Sequence, residues 1–190
     1  MGRIITLTGV SASGKTTLAR SMIFNAGYKL VTSTTTRNAR TSDLPFEYEY
    51  ISHAVFVDFQ TVGAFAWSTV PFGNGYYYGT RNCFIDLAFE SEGSHLMLLV
   101  PDTVPKLYNY TRQKNQGDIV SFFLCTPSQE ILRSRLMARG DSTSDIENRL
   151  YDFKKWEREA RSQNEIPYHF IDSTNSINEV YQLVMGCLKK

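Results

Sequence analysis

The chain has 190 residues, which suffices for one substantial core or for one core with a small insert. A hydrophobic content of 42%, a charged content of 21% and a net charge of +1 exclude a bulk field that would draw the chain to nucleic acid or membrane. The scattered cysteines, the start at Met1 without a signal peptide and the short apolar runs favour a cytoplasmic protein without a disulfide framework, a metal-binding cysteine cluster or a membrane span.

The predicted elements alternate between short buried strands and longer amphipathic helices. Strands are predicted at residues 3–8, 28–33, 95–100, 119–125 and 168–171. Helices are predicted at 15–25, at 81–92, within 103–116, from a cap at Thr126 and Pro127 to 139, from a capping box of Ser144 and Glu147 to 163, and at 177–188. This alternation predicts an α/β protein with a parallel sheet and helices on both of its faces.

Residues 48–80 break the alternation, because they are rich in aromatic and β-branched side chains and carry Gly73 and Gly75 as turn signals. They predict a small antiparallel patch, placed as an insert over the carboxyl edge of the main sheet. The stretch Gly73-Asn74-Gly75 predicts a lengthened hairpin turn that reshapes the neighbouring pocket.

A glycine-rich loop of the pattern G-x-x-x-x-G-K-[ST] follows the first predicted strand and opens the first helix. Such a loop turns its backbone N–H groups toward phosphate oxygens, while its lysine adds a cation and its hydroxyl residue contacts Mg²⁺. A chance match is the alternative, but the flanking strand and helix favour a nucleoside triphosphate site. Its residues are Gly9, Val10, Ser11, Ala12, Ser13, Gly14, Lys15, Thr16 and Thr17.

The loop alone does not separate kinases from GTPases or motor ATPases. The sequence contains no Asn-Lys-x-Asp base reader, which GTPases usually carry, and the chain is short for a motor domain. A small kinase is the remaining interpretation.

Arg37 and Arg40 lie among hydroxyl residues directly after the second predicted strand. Guanidinium groups offer paired N–H donors that suit a dianionic phosphomonoester, although a solvated loop is the alternative. Tyr48 and the run 76–78 add phenol groups that can bind phosphate or stack on a base. Three consecutive tyrosines cannot all point inward on a strand, so at least one of them faces outward.

Several motifs in register resemble guanylate kinase over nearly the whole chain. They are Gly-Val-Ser-Ala-Ser-Gly-Lys-Thr-Thr-Leu at 9–18, Ser-Thr-Thr-Thr-Arg-Asn-Ala-Arg at 33–40, Tyr-Tyr-Gly-Thr at 77–80 and Arg-Leu-Met-Ala-Arg-Gly at 135–140. The resemblance implies one domain in three parts: a three-layer P-loop core with a parallel sheet (1–33, 81–134 and 150–190), a small mixed β insert that binds the monophosphate (34–80) and a mobile helical lid (135–149). It also implies phosphoryl transfer from MgATP to a nucleoside monophosphate, with GMP or dGMP as the expected acceptor, in a monomer or homodimer.

The resemblance also assigns roles to individual residues. It implies that the acceptor phosphate is held by Arg37, Arg40, Tyr48 and Tyr78. It places Ser33, Thr80 and Asp102 beside the base, and Thr16 at Mg²⁺ together with the phosphates. The catalytic cations it implies are Lys15, Arg135, Arg139 and Arg149.

The lid arginines also have an interpretation that rests on spacing. Arg135 and Arg139 are four residues apart near the end of one predicted helix and share its face, and Arg149 comes early in the next. They can close over a triphosphate, where phosphoryl transfer needs in-line positioning and charge neutralisation. The alternative is surface charge beside Asp141 and neighbouring acidic residues.

Two positions depart from the family pattern. The family usually has a glutamate before the tryptophan of its insert, which accepts hydrogen bonds from guanine, and Ala66 corresponds to it here. The family also has an aspartate where this chain has Val100, so that Mg²⁺ binding would depend on Thr16, the phosphates and Asp102. Asp102 could alternatively cap the helix that follows it.

The departures leave two other functions open. A sister family that also lacks a guanine reader phosphorylates ribose 1,5-bisphosphate. Guanylate-kinase-like domains of scaffold proteins bind phosphopeptides without ATP chemistry, but their P-loops are usually degraded, whereas Gly14, Lys15 and Thr16 are intact here.

Overall fold

A computed structural model describes residues 2–41, 43–70, 75–115, 117–125, 128–151 and 153–189. The strands in this part of the chain, numbered along the sequence, are β1 (Arg3–Thr8), β2 (Lys29–Leu30), β3 (Ser33–Thr35), β4 (Tyr48–Tyr50), β5 (Phe65–Thr69), β6 (Tyr78–Arg81), β7 (Ser94–Leu99), β8 (Asp118–Cys125) and β9 (Tyr168–Asp172). None of the helices described here is both long and apolar enough to cross a lipid bilayer.

The helices are numbered in the same way. They are α1 (Lys15–Ala26), α2 (His53–Thr61), α3 (Asn82–Glu90), α4 (Val104–Gln113), α5 (Gln129–Ala138), α6 (Thr143–Tyr151), α7 (Phe153–Ser162) and α8 (Ile177–Leu188). A 3-10 turn, Pro101–Thr103, leads from β7 into α4.

The main sheet has five parallel strands in the order β2-β7-β1-β8-β9. Its central strand β1 is buried on both faces, since Ile4, Ile5 and Leu7 are fully buried and so are Thr6 and Thr8. A strand buried in this way must be covered on both sides. Helices α1 and α8 pack on one face through residues such as Leu18 and Val184, while α3 and α4 pack on the other. The predicted α/β fold is thus confirmed.

The carboxyl ends of β1, β7 and β8 meet at one edge of this sheet. Thr8 of β1 pairs with Leu99 of β7 and with Phe123 of β8, so the chain segments that leave these strands start side by side. Ligands of open α/β sheets bind outside this edge, and the phosphate loop begins there directly after Thr8.

A second sheet has four strands in the order β4-β3-β6-β5. The β3–β4 pair is parallel, whereas β6 is antiparallel to both β3 and β5. The small mixed β insert is therefore confirmed, whereas the antiparallel patch predicted over 48–80 is wrong in part, because one strand pair is parallel and the segment contains α2. Ser52 caps α2 by accepting a hydrogen bond from the Val55 N–H (3.3 Å). The sequence does not predict α2, because the β-branched and aromatic residues of this helix favour strands locally.

Three further predictions are corrected at chain turns. The strand predicted at 28–33 is two strands, β2 and β3, which belong to different sheets. Ser128 caps α5 by accepting a hydrogen bond from the Ile131 N–H, while the predicted cap residues Thr126 and Pro127 lie outside the described residues. Gly73 and Asn74 of the predicted hairpin turn also lie outside the described residues. Ser142, not Ser144, accepts the capping hydrogen bond at the start of α6, from the Asp145 N–H (3.2 Å).

Candidate active site

The phosphate loop joins β1 to α1 with a backbone that needs glycine at its ends. Gly9 has a φ of 142°, and a Cβ there would lie 2.8 Å from the Leu124 carbonyl oxygen. Gly14 has a φ of 99° and caps α1 without any side-chain acceptor. The first N–H groups of α1 thus have no capping side chain, which is the arrangement that binds anions at helix N-termini.

Lys15 lies at the centre of this loop with its charge only partly compensated. Its Nζ donates to the carbonyl oxygens of Gly9 (2.6 Å) and Val10 (2.8 Å). Burial lowers the pKa of Lys15 from 10.5 to about 7, and the nearby Arg139 and Arg149 lower it further, against a smaller opposing effect of Glu47. A bound phosphate would supply the negative charge that this lysine lacks.

One cavity of about 560 Å³ holds both predicted anion pockets. From the phosphate loop and α1 it is lined by Ser11, Ala12, Ser13, Gly14, Lys15, Thr16 and Thr17. From the predicted acceptor and lid residues it is lined by Ser33, Arg37, Arg40, Tyr48, Tyr78, Arg135, Arg139 and Arg149. The amide-lined loop and the arginine pair therefore face each other across a single gap.

Arg37 is the most tightly held residue of the acceptor side. It is only 5% exposed, and its guanidinium donates to both carboxylate oxygens of Asp43 (2.7 and 2.8 Å). It also lies over the ring of Tyr48, 4.6 Å from the centroid. Burial alone would lower the pKa of Arg37, but the Asp43 hydrogen bonds outweigh it and raise that pKa. Arg37 is thus a fixed, permanently charged donor.

Asp43 organises the acceptor side and was missed by the sequence analysis. Besides Arg37, it accepts hydrogen bonds from the Arg40 N–H (2.7 Å) and the Tyr50 hydroxyl (2.6 Å). Burial alone would raise the pKa of Asp43, but these donors hold it below its ordinary value. A carboxylate three residues after an arginine is a common surface pattern, so the sequence carries no specific signal for this role.

Glu47 is a second carboxylate that the sequence analysis missed. It is 8% exposed, lines the same cavity and accepts a hydrogen bond from the Leu44 N–H (2.8 Å). Burial raises the pKa of Glu47. The neighbouring Tyr48 ring packs against Tyr78 at 6.2 Å, so the phenols stand beside this carboxylate and Arg37.

The residues expected at the base are only partly gathered at the cavity. Ser33 lines it, and the Ser33 hydroxyl lies 3.3 Å from that of Thr80, which is fully buried and does not line the cavity itself. Asp102 is exposed, stays outside the lining and accepts a hydrogen bond from Thr69 (3.3 Å). The alternative role of Asp102 as a cap of α4 is wrong, because Thr103 occupies that position.

Ala66, which corresponds to the family's base-reading position, is not among the residues that line the cavity. Strand β5 has an irregular register between Phe65 and Trp67, and the side chains that it contributes to the cavity are those of Trp67 and Thr69. Ala66 packs against the apolar cluster that contains Ile85 and Trp67. Val100 also lines the cavity.

The lid arginines reach the phosphate loop from two helices. Arg135 of α5 donates to the carbonyl oxygens of Ala12 and Ser173 (both 3.2 Å). Arg149 donates to the Ser11 hydroxyl (2.8 Å), and it lies in the last turn of α6 rather than early in a helix as predicted. Arg139 forms an ion pair with Asp141.

Arg133 also lies on α5, but its side chain has a different environment from those of the lid arginines. It is exposed and pairs with Glu147 (2.5 Å), away from the cavity lining. Arg133 is thus a surface charge, whereas Arg135, Arg139 and Arg149 line the cavity. Burial lowers the pKa of Arg149, and the nearby charge of Arg139 lowers it further.

The residues present fit a triphosphate with its metal. The uncapped helix start, the partly compensated Lys15 and the buried, unpartnered Ser13 hydroxyl all suit phosphate oxygens. Thr16 lines the cavity in the place of a hydroxyl ligand to Mg²⁺. No cluster of histidine, cysteine, aspartate or glutamate side chains within the described ranges could hold a metal ion by itself.

A P-loop on a parallel sheet, with an arginine pocket and cationic helices around one cavity, defines the class of nucleoside monophosphate kinases. Known proteins agree. Guanylate kinase from Symbiobacterium thermophilum is 29% identical over 193 residues, covering 97% of this chain and 85% of the relative. Guanylate kinase from Nitrobacter winogradskyi is 31% identical over 200 residues, covering 99% and 82%.

The solved structures agree on the fold. The crystal structure of guanylate kinase from Anaplasma phagocytophilum matches with a TM-score of 0.67 and 20% identity, covering 99% of this chain and 85% of that one. No family model matches the sequence. The extent and identity of the curated matches show that the chain belongs to the guanylate kinase family, whose members are P-loop nucleoside monophosphate kinases.

Proposed function

We propose that this protein transfers the γ-phosphoryl group of ATP to a nucleoside monophosphate and releases the two diphosphates. The observation that carries the proposal is the single cavity of about 560 Å³ shared by the phosphate loop and the Arg37 pocket. Both phosphate groups would then be bound within one cavity. GMP and dGMP are the first acceptors to test, because the curated relatives are named guanylate kinase.

Each pocket would hold one phosphate chain. The N–H groups at the start of α1 and Lys15 would bind the donor triphosphate, with Thr16 as a ligand of Mg²⁺. Arg37, supported by Asp43, would bind the acceptor phosphate together with Arg40, Tyr48 and Tyr78. When bound, Mg²⁺ would neutralise charge on the phosphate oxygens that meet in the reaction.

The chemistry needs positioning more than proton transfer. The attacking group is an oxygen of the acceptor phosphate, which is already anionic, so the protein needs no general base. Its task is to bring that oxygen in line with the transferred phosphorus and to hold cations around it. Lys15, Arg135 and Arg149 surround the donor loop closely enough for this role.

We also propose that the insert 34–80 and the lid 135–149 move against the core when both substrates bind. The contacts of Arg135 and Arg149 with residues of the phosphate loop support this division, because each lies on a lid helix and reaches the core. Closure would exclude water, which otherwise competes as an acceptor.

Coupled release of ADP, measured with Mg²⁺, ATP and a panel of acceptors, tests the proposal. The panel holds GMP, dGMP, AMP, CMP, UMP, dTMP and ribose 1,5-bisphosphate. We expect turnover with at least one nucleoside monophosphate and none with the sugar bisphosphate. Turnover with the sugar alone would assign the chain to sugar phosphate chemistry, and a failure to bind ATP would identify a binding module.

A further inference from the structure

Glu47 places a carboxylate in a cavity whose other charged groups are mostly cations. It is 8% exposed and lines the cavity that the phosphate loop shares with the Arg37 pocket. Its carbonyl oxygen accepts a hydrogen bond from the Ser33 N–H (2.9 Å), and its Oε2 accepts one from the Leu44 N–H (2.8 Å). A phosphate bound beside Arg37 would therefore meet a carboxylate whose backbone and side chain are both held in place.

The charge of Glu47 is compensated differently from that of Asp43, which lines the same cavity. Both carboxylate oxygens of Asp43 accept hydrogen bonds from the Arg37 guanidinium (2.7 and 2.8 Å). Within the part of the chain that the structure describes, Glu47 forms no ion pair of 4.0 Å or less with a basic side chain. A buried carboxylate without an ion pair tends to bind a proton, because burial disfavours its charged form.

The titratable groups that face Glu47 come from both sides of the cavity. They are Arg37 and Asp43 in the loop before β4, Tyr48 and Tyr50 on β4, and Lys15 in the phosphate loop. Burial raises the pKa of Glu47 and the charge of Asp43 raises it further, whereas hydrogen bonds from its neighbours and the charge of Arg37 lower it. Glu47 in turn acts to raise the pKa of Lys15, so its charge is felt at both phosphate sites.

An acceptor phosphate adds negative charge at this place. Arg37 and Tyr48 are its expected ligands, and the ring of Tyr48 lies 4.6 Å from the guanidinium carbon of Arg37. Two anionic groups that share a cavity of low dielectric constant repel each other, and one of them then binds a proton. A protonated carboxyl group can also donate a hydrogen bond to a phosphate oxygen, which an ionised carboxylate cannot do.

We propose that Glu47 is a further acceptor-binding residue, which takes up a proton with the acceptor and donates it in a hydrogen bond to a phosphate oxygen beside Arg37. The proton comes from solvent when the acceptor binds and returns to solvent when the diphosphate leaves, so the overall reaction is balanced without it. The attacking oxygen is a different one and stays anionic. The affinity for the acceptor should then fall as the pH rises. This inference rests on the proposed kinase function.

The test measures the KM for GMP, or for the fastest nucleoside monophosphate of the panel, between pH 6.5 and 8.5. Saturating MgATP keeps Lys15 charged, and the acceptor phosphate, with a second pKa of about 6, is mostly dianionic throughout. In the wild type we expect KM to rise roughly fivefold or more over this range, since one pKa unit corresponds to about tenfold in affinity.

Glu47→Gln should remove this dependence on pH. The amide keeps an oxygen for the Leu44 N–H and donates to phosphate without taking up a proton. Its KM should change less than about twofold between pH 6.5 and 8.5 and should lie below that of the wild type at pH 8.5. Glu49→Gln is the matched control, because Glu49 pairs with Arg81 (2.7 Å) outside the cavity lining and should leave the wild-type pH dependence in place.

Calorimetry counts the proton directly and keeps the test decisive if Glu47→Gln does not fold, which thermal unfolding checks. The same nucleotide is titrated into wild-type protein saturated with a non-hydrolysable ATP analogue, in two buffers of different ionisation enthalpy. At pH 7.5 we expect an uptake of roughly half a proton per site, falling toward pH 8.5, where the complex holds little of this proton.

Three results would overturn the inference alone. They are a wild-type KM that does not change with pH, a Glu47→Gln variant that keeps the wild-type dependence or has the higher KM at pH 8.5, and acceptor binding without proton uptake at pH 7.5. The absence of turnover with every nucleoside monophosphate would instead overturn the proposed function, and this inference with it.

Discussion

In the proposed function, the donor and acceptor sides of the cavity bind the same chemical group with different parts of the protein. The donor side is one continuous segment, from Gly9 to Thr17, in which backbone N–H groups and one lysine would do the binding. The acceptor side is assembled from side chains of separate segments, among them Arg37, Tyr48 and Tyr78. The first is encoded locally, while the second exists only when the four-stranded sheet has formed.

This difference determines how each side responds to mutation. Backbone donors cannot be deleted by exchanging a side chain, so the donor side is vulnerable mainly at its lysine and its glycines. The acceptor side is vulnerable at every side chain and also at residues that hold those side chains, such as Asp43. Variants on the two sides should therefore separate effects on chemistry from effects on folding.

The largest expected effect is that of Lys15→Met on the donor side. Removing the cation from the phosphate loop should lower turnover by roughly 10³-fold or more, because charge on the transferred phosphoryl group is no longer neutralised. Without ligand the folded protein should be no less stable, since the lowered pKa of Lys15 means that its charge costs free energy there. Coupled ADP release and thermal unfolding check both expectations, and unchanged turnover would refute the donor site.

Arg149→Ala should have the next largest effect, with Arg133→Ala as its control on the neighbouring helix. Arg149 contacts Ser11 of the phosphate loop, whereas Arg133 is exposed and pairs with Glu147. We expect a loss in kcat of roughly 100-fold for Arg149→Ala and less than about twofold for Arg133→Ala. Steady-state kinetics with saturating ATP measures both, and equal losses in the two variants would contradict the division between them.

The sequence predicts the donor side almost completely, because its signal is local. The glycine spacing, the preceding buried strand and the following helix identify Gly9 to Thr17 without knowledge of any other segment. The five strands of the main sheet are predicted on the same principle, except that the strand at 28–33 is divided between two sheets. The local sequence pattern does not indicate which sheet a strand joins, since strand pairing depends on partners that are distant in the sequence.

The acceptor side shows where sequence reasoning fails. Asp43 and Glu47 matter because folding brings them against Arg37 and the cavity, and neither has a motif of its own. The sequence does not reveal that Ala66 lies outside the cavity lining, because the irregular register of β5 between Phe65 and Trp67 has no local signal.

Asp43→Ala tests the acceptor side through stability, with Asp58→Ala on the exposed face of α2 as its control. Arg37 and Asp43 are both nearly buried, so deletion of the carboxylate leaves an unpaired buried charge. We expect a loss of about 3 kcal/mol in the free energy of unfolding, and a higher KM for the acceptor with an unchanged KM for ATP. Urea unfolding and steady-state kinetics measure the two effects, and Asp58→Ala should stay within about 0.5 kcal/mol of the wild type.

Acid should reproduce part of this effect in the wild type. Because the folded-state pKa of Asp43 is lowered, its contribution is fully present above the ordinary value of 3.8 and is lost as the pH falls through the folded-state value. Asp43→Ala should lack that part of the acid dependence. A variant that unfolds like the wild type in urea and in acid would show that the Arg37 pair does not organise the acceptor side.

The smallest expected effect is a proton taken up when the donor side is filled. The pKa of Lys15 is about 7 without ligand, so between pH 7 and the ordinary value of 10.5 this lysine is largely neutral when folded and charged when unfolded. The unfolded state then binds more protons, and the stability of the ligand-free protein should rise with pH in that window. A triphosphate reverses the balance, because its negative charge favours the protonated amine.

Calorimetric titration with a non-hydrolysable ATP analogue, in two buffers of different ionisation enthalpy, counts this proton. At pH 8.5 we expect an uptake of about one proton per site, and at pH 6, where Lys15 is already charged, almost none from it. Lys15→Met should abolish the uptake at pH 8.5. Titration of the acceptor nucleotide alone should show a smaller uptake, since Arg37 stays charged throughout. An equal uptake on both sides would mean that the two pockets do not differ in how their charge is compensated.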